Sequence, residues 1–182
     1  MKYFVSIFLL ASLVSFRVFS DIYSIPLKSI DGKKVDLSEF KGMKMLFIVL
    51  PLSANDTTVS LKQIQGLQGR YRNSLAVIGI PAEEAGFERG NEDQLKQLYR
   101  TADRTFLILE GMKVKKGPEQ QTLFRWLTSR EYNQHFDQDV RGVGSKFFVD
   151  EFGELYAVMG PEFKLTNPLM DKILTRRNGK QP

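Results

Sequence analysis

The sequence reads as an α/β protein, with a central mixed sheet flanked by helices and preceded by an N-terminal β-hairpin. Three observations point there. The runs Met43–Leu52 and Leu75–Ile80 are almost continuously apolar, as strands buried on both faces must be. Between them lies a segment whose apolar residues recur at helical spacing. Near the C-terminus, Ser145–Val149 and Glu154–Met159 flank the turn Asp150-Glu151-Phe152-Gly153, which makes an antiparallel pair.

Taken in order, Ile22–Ile30 alternates and carries Pro26, which suits an edge strand, and Asp31-Gly32 is a tight turn leading to a returning strand, Lys33–Leu37. Ser38-Glu39-Phe40-Lys41-Gly42 is a brief turn before the first apolar run. Ser53-Ala54-Asn55-Asp56-Thr57 forms the loop that follows, with Asn55, Asp56 and Thr57 all chemically able to cap a helix. From Thr58 to Tyr71, Leu61, Ile64, Leu67 and Tyr71 fall on one face and Lys62, Gln63, Gln65 and Arg70 on the other, with Gly66 and Gly69 weakening the helix. Strand, helix and strand then compose a right-handed βαβ unit. Pro81–Gly90 is a polar loop, after which Asn91 caps a helix with Gln94 at the third position of a capping box and Leu95, Leu98 and Tyr99 as its buried stripe. Thr105–Leu109 is a third strand. Pro118 opens a helix whose core face is Leu123, Trp126 and Leu127, and Pro168–Leu174 is a last short helix. A βαβ half followed by a ββα half around one sheet is the thioredoxin-like order.

A chain of 182 residues with 42% hydrophobic and 26% charged residues has enough material for a core without disulfides or a structural metal. The absence of cysteine excludes disulfides, thiolate nucleophiles, iron–sulfur clusters and Cys-ligated zinc, and a single histidine, His135, leaves no His-built metal site. No cofactor is expected. At the N-terminus, Lys2 is followed by the apolar run Phe4–Phe16 and by Val18-Phe19-Ser20 before Asp21, the order of a secretory signal peptide. The run is too short to span a bilayer as a helix. Residues 1–20 are therefore expected to be a signal peptide, 21–175 one domain, and 176–182 a basic disordered tail, in a protein exported to the periplasm or beyond the cell with no stable membrane span after cleavage. Loss of Lys2 and Arg17 lowers the formal net charge from +5 to +3, and that excess sits at Arg176, Arg177 and Lys180. A neutral body with a basic tail offers no basic face, which argues against nucleic acid as a partner.

Several stretches resemble the glutathione peroxidase family. Ile30-Asp31-Gly32-Lys33-Lys34-Val35-Asp36-Leu37 through Gly42 is similar to that family's lead-in hairpin, Gly79-Ile80-Pro81 to the end of its next strand, and Asn91-Glu92-Asp93-Gln94-Leu95 to a helix start. Leu123-Phe124-Arg125-Trp126-Leu127 resembles a later helix, and Ser145-Lys146-Phe147-Phe148-Val149-Asp150-Glu151-Phe152-Gly153 the closing hairpin. The resemblance implies a thioredoxin-like fold of the glutathione peroxidase type. It also places the family's catalytic positions: the cysteine or selenocysteine on Asn55, with Ala54 as the fallback, the glutamine on Glu84, and the Trp-Asn pair on Gly142 and Val143. None of those residue types is kept. Peroxide reduction needs a thiolate or selenolate to attack the O–O bond, and an asparagine amide cannot replace it.

Asp56, Glu83 and Glu84 could form an acidic ligand site at the carboxyl ends of two parallel strands, or simply be capping and solvated loop residues. His135 has no nucleophile in a recognisable motif beside it. The expectation is thus a peroxidase-like scaffold without peroxidase chemistry, working with a protein partner as a binding or assembly module. Its rivals are an oxidoreductase of the oxidative-stress response, using a non-standard site or a partner's thiol, and a structural subunit of an envelope complex.

Overall fold

The computed structural model describes residues 21–100 and 106–176. The expected signal peptide, Thr105 at the head of the expected third strand, and residues 177–182 of the expected tail lie outside the described residues.

Strands β1 (Leu27–Lys28) and β2 (Lys34–Val35) form the N-terminal hairpin. They are followed by β3 (Lys44–Val49), α1 (Leu61–Tyr71), β4 (Leu75–Ile80), α2 (Glu92–Leu98), β5 (Phe106–Ile108), α3 (Thr122–Thr128), α4 (Arg130–Asn133), β6 (Lys146–Val149), β7 (Leu155–Met159) and α5 (Leu169–Thr175). The main sheet has the order β5-β4-β3-β6-β7, with β5, β4 and β3 parallel and β6 and β7 antiparallel to their neighbours. This is the expected mixed thioredoxin-like sheet with an N-terminal hairpin.

Apart from Lys44 at the head of β3 and Lys146 at the head of β6, the central strands are without polar side chains because both faces are covered. Met45, Phe47 and Val49 of β3, with Ala76, Ile78 and Ile80 of β4 and Phe147 of β6, share one core with Leu123, Phe124, Trp126 and Leu127 of α3. There the Phe124 and Phe147 rings meet edge to face, 5.9 Å between centroids. The alternate residues Leu46, Ile48, Val77 and Phe148 pack instead with Ile64 and Leu67 of α1, Leu95 of α2, and Met170 and Leu174 of α5. Each Val, Leu, Ile, Phe or Met side chain among them contributes about 1.5–3 kcal/mol on burial.

Local departures from the expected elements have local causes. Only Leu27–Lys28 of the segment Ile22–Ile30 is strand, because Ile22–Ser24 closes into a 3-10 turn capped by the Asp21 carboxylate on the Tyr23 amide. Helix α1 is capped by Ser60, whose hydroxyl accepts from Gln63 N while Gln63 Oε1 accepts from Ser60 N; Asp56 instead accepts from Thr58 N. At α2 no capping box forms, since the Asn91 side chain makes no capping bond and Glu92 turns back to the Gly90 amide. Pro118 does not open α3, which begins only at Thr122. The short α4 was not expected at all.

The hairpin covers one edge of the sheet. Ile30 N donates to Ile108 O and Glu110 N to Lys28 O, both at 2.9 Å, so β1 lies along the outer side of β5. None of the described helices is long and apolar enough to cross a membrane.

Candidate functional site

The positions singled out by the sequence lie around the carboxyl ends of β3 and β4, where the loop before β6 also arrives. Gly144 N donates to Val49 O at 2.7 Å and Val49 N to Ser145 O at 3.0 Å, which sets that loop against the end of β3. The loop leaving β3 is folded by its own side chains. Ser53 Oγ accepts from Asn55 N at 3.2 Å, and Asp56 Oδ1 from Thr58 N at 2.8 Å. Asn55 is exposed, and Asp56 half-buried. Beneath the loop, the Tyr99 hydroxyl donates to Pro51 O at 3.1 Å. Burial, reinforced by the negative charge of Asp56, pushes the Tyr99 phenol well above its ordinary range.

Glu84 is committed to the backbone. Its Oε1 accepts from Val114 N and Lys115 N, both at 2.9 Å, and its Oε2 from Val114 N at 3.1 Å. The loop it holds is itself tied to the approach to Gly142: Lys115 Nζ donates to Val140 O, Lys116 N to Asp139 Oδ1 at 3.1 Å, and Lys116 Nζ pairs with Asp137. No hydrogen bond or ion pair between described residues joins Asp56 to Glu83 or Glu84. Glu83 faces a separate cavity of about 520 Å³, shared with Phe87, Glu88, Glu92 and Glu110. Asp56 and Glu84 thus each accept from backbone amides of a loop, while Glu83 lines a separate cavity.

Gly142 and Val143 are half-buried, and the tightest packing falls on the next residue. Gly144 has φ +82°, and a Cβ built there would lie 2.2 Å from Thr58 Cγ2. Both conditions demand glycine: the left-handed backbone and the methyl group of Thr58 pressed onto it. The loop after β3 and the loop before β6 are therefore in direct contact.

Sequence reasoning missed Lys146, at the first position of β6 and paired in register with Ile48 near the end of β3. It is fully buried, and its Nζ donates to Gly144 O and, at 3.5 Å, to Gly160 O. Burial, with Lys164 adding a like charge against a weaker pull from Glu162, lowers its ammonium from the usual 10.5 to about 8. A lysine beginning an apolar strand looks from the sequence like its solvated end; only the two carbonyls aimed at it explain its burial. His135 lies elsewhere, in an exposed pair with Glu154, Nε2 to Oε2 at 2.9 Å. Among the described residues no group of three or more His, Cys, Asp or Glu side chains is placed to hold a metal ion.

Comparison with known proteins bears on these positions. A family model described as glutathione peroxidase matches residues 22–128, a stretch that contains Asn55 and Glu84 and ends before Gly142 and Val143. Glutathione peroxidase 2 of Sapajus apella is 26% identical over 134 residues, covering 70% of this chain and 70% of the relative. The chloroplastic phospholipid hydroperoxide glutathione peroxidase 1 of Arabidopsis thaliana is 27% identical over 137 residues, covering 74% of this chain. The match spans only 57% of that relative's own length. Among solved structures, GPX1 of T. cruzi superposes with a TM-score of 0.62 at 18% identity, covering 85% of this chain and 94% of the other.

Proposed function

Because the chain belongs to the glutathione peroxidase family and yet contains no cysteine, we propose that it is a catalytically inactive, exported member of that family that acts as a binding or assembly module. The missing sulfur carries this reading. In the family's chemistry a thiolate or selenolate attacks the O–O bond, takes one oxygen as a sulfenic-type acid, releases an alcohol or water, and is restored by thiols. Asn55, which resembles that position only in its place in the chain, has no lone pair of comparable nucleophilicity.

The surroundings support the same reading. Glu84, at the position resembling the family's glutamine, has its oxygens engaged by Val114 and Lys115 amides. Gly142 and Val143 bring no side-chain hydrogen-bond donor to a reacting peroxide. The buried amine of Lys146 is directed at two carbonyls, not at the loop surface.

Metal-free protein mixed with hydrogen peroxide and either glutathione or reduced thioredoxin is expected to consume no peroxide beyond the protein-free blank. Consumption that scales with protein concentration overturns the proposal. Export is tested separately, by expressing the full chain in an exporting bacterial host and sequencing the product's N-terminus, with Asp21 expected first.

A further inference from the structure

Asn55 follows β3; beyond the other end of that strand, a cavity of about 500 Å³ opens between the turn Ile22–Ser24, helices α3 and α4, and the β6–β7 turn. Its walls are aromatic, with Tyr23, Trp126, Tyr132 and Phe152 all lining it. Phe152 is 56% exposed, one of only two large apolar side chains left so open among the described residues. It stands on a fixed turn, since Asp150 Oδ1 accepts from the amides of Phe152 and Glu154, both at 2.9 Å. The Tyr23 ring is fixed as well: Gly153 has φ +87°, and a Cβ built there would lie 2.7 Å from Tyr23 Cε2. The Tyr23 hydroxyl is nevertheless buried without a hydrogen-bond partner among the described residues. Gln134, which also lines the cavity, is the one described residue other than glycine with a positive φ, +65°. A glutamine where glycine would be unstrained keeps an amide beside the cavity.

The charged groups of the lining are Asp21, Glu151 and Glu154 against Lys41. Glu151 is committed to Lys44. Asp21 is exposed and caps its turn through one carboxylate oxygen, and Glu154 pairs with His135 where both side chains are more than 40% exposed, so either carboxylate can take a further partner at little cost. Lys41 Nζ lies 4.9 Å from the centre of the Tyr23 ring, which shows that this wall already attracts a cation. Burial, with the negative charges of Asp21 and Asp150, holds the Tyr23 phenol above its ordinary range, and the same two charges favour a positive group beside it.

We infer that this cavity binds a guanidinium group, its flat face on the aromatic walls and its N–H donors turned to Tyr23 Oη, Asp21 and Glu154, in the place of the Lys41 ammonium. Guanidinium suits the cavity better than ammonium. It stacks on aromatic faces, gives up its water more readily, and presents several donors in a plane to acceptors spread around one space. Lys41 is exposed, so its hold on the Tyr23 ring is weak and it can yield. A cavity of this size takes an amino acid or one side chain, and the same chemistry is offered by free arginine and by an arginine of a partner protein. Neither the cavity nor its ligand depends on the missing cysteine, so peroxide turnover and guanidinium binding stand or fall separately.

Trp126 is the chain's single tryptophan and lines the cavity, so its fluorescence reports occupancy. Titrating the purified protein with N-acetyl-arginine amide is expected to give a saturable change that calorimetry reproduces and added salt weakens. The uncharged isostere N-acetyl-citrulline amide should give none, and N-acetyl-lysine amide should bind more weakly. Tyr23→Phe is expected to weaken binding by at least about threefold while leaving stability in urea unchanged or raised, because the hydroxyl it removes has no partner in the free protein. Glu154→Gln should weaken binding to a similar extent, and Lys41→Gln, which removes the resident cation, should tighten it about two- to fivefold. Near-ultraviolet circular dichroism checks that each variant keeps the fold, and the arginine and citrulline arms need no variant at all. No saturable change with the arginine amide, equal binding of the citrulline or lysine analogue, or affinity indifferent to all three substitutions overturns the inference. Free L-arginine distinguishes the two sources, and either result supports the site: binding as tight as the amide's assigns the free amino acid, and weaker binding assigns an arginine within a polypeptide.

Discussion

Two lysines are buried against the sheet, one toward each end of β3, and the protein accommodates them differently. Lys44, at the start of β3, donates to Glu151 Oε2 and to Arg176 O, both at 2.8 Å, and its ammonium lies 4.7 Å from the centre of the Tyr156 ring. It has a counter-charge, a carbonyl and an aromatic face. Lys146, beside the other end of β3, has two carbonyls and, among the described residues, no carboxylate within hydrogen-bonding distance, and burial, with the like charge of Lys164, lowers its ammonium to about 8. Charge is thus neutralised at the end where Arg176, just after α5, and the β6–β7 turn meet, and only solvated by backbone oxygen at the end where the family's chemistry would be expected. The first arrangement ties elements together; the second leaves a group whose protonation is coupled to folding.

Four changes test this contrast, taken from the largest expected effect to the smallest. Gly144→Ala forces a Cβ into Thr58 on a left-handed backbone and displaces the carbonyl that Lys146 holds, so a loss of about 3 kcal/mol is expected in urea unfolding. Glu151→Gln removes the charge facing Lys44 while keeping the shape, and a loss of about 2 kcal/mol is expected by the same measurement. A loss as small as that at an exposed pair such as Arg70–Asp171 would show that the Lys44 contact is no more than a surface ion pair.

The third change is in pH. Lys146 has a folded value of about 8 against 10.5 in the unfolded chain, so between these values the unfolded state binds more protons and stability rises with pH. The rise is expected to be about 1–2 kcal/mol between pH 8 and pH 10, once relaxation of the buried group is allowed for. Above pH 10 the sign reverses. Tyr99 and Tyr156, whose phenols burial raises above their usual 10.0, keep protons that the unfolded chain releases. Urea titrations at several pH values should show the rise in the unmodified protein and lose it in Lys146→Met. A rise that survives in the variant assigns it to another group. The smallest expected effect is that of Asn55→Cys: a thiol on this exposed turn should leave stability within about 0.5 kcal/mol and peroxide turnover at the blank. Turnover in that variant would show that the surrounding loops still support the reaction.

The sheet was legible in the sequence because its evidence is carried by contiguous residues. Met45–Val49 and Leu75–Ile80 are apolar on both faces, and the structure buries both faces. The stripe Ile64 and Leu67 and the core face Leu123, Trp126 and Leu127 were legible for the same reason. Helix starts were less so. Ser53, Asn55, Asp56, Thr57, Thr58 and Ser60 can all cap, and the choice of Ser60 rests on its reciprocal bond with Gln63 and on Asp56 being engaged by Thr58. At the candidate site, the loss of the family's residue types could be read directly. What replaced them could not, because the contacts are long-range: Glu84 reaches loop amides 30 and 31 residues away, and Thr58 packs on Gly144. Lys44 gave no local sign of burial, since its partners Glu151 and Arg176 lie more than 100 residues away, and at Lys146 the nearby Gly144 carbonyl is joined by that of Gly160 from beyond β7.

The contact between Thr58 and Gly144 also makes substitution at this end of the sheet directional. Trimming Thr58 to serine or alanine first should open room for a later side chain at 144, leaving mainly the strain of its backbone, whereas adding that side chain first meets clash and strain together. The same two changes should therefore pass through intermediates of different stability according to their order. Anyone rebuilding chemistry on this scaffold has to begin at the residue that touches no reactant.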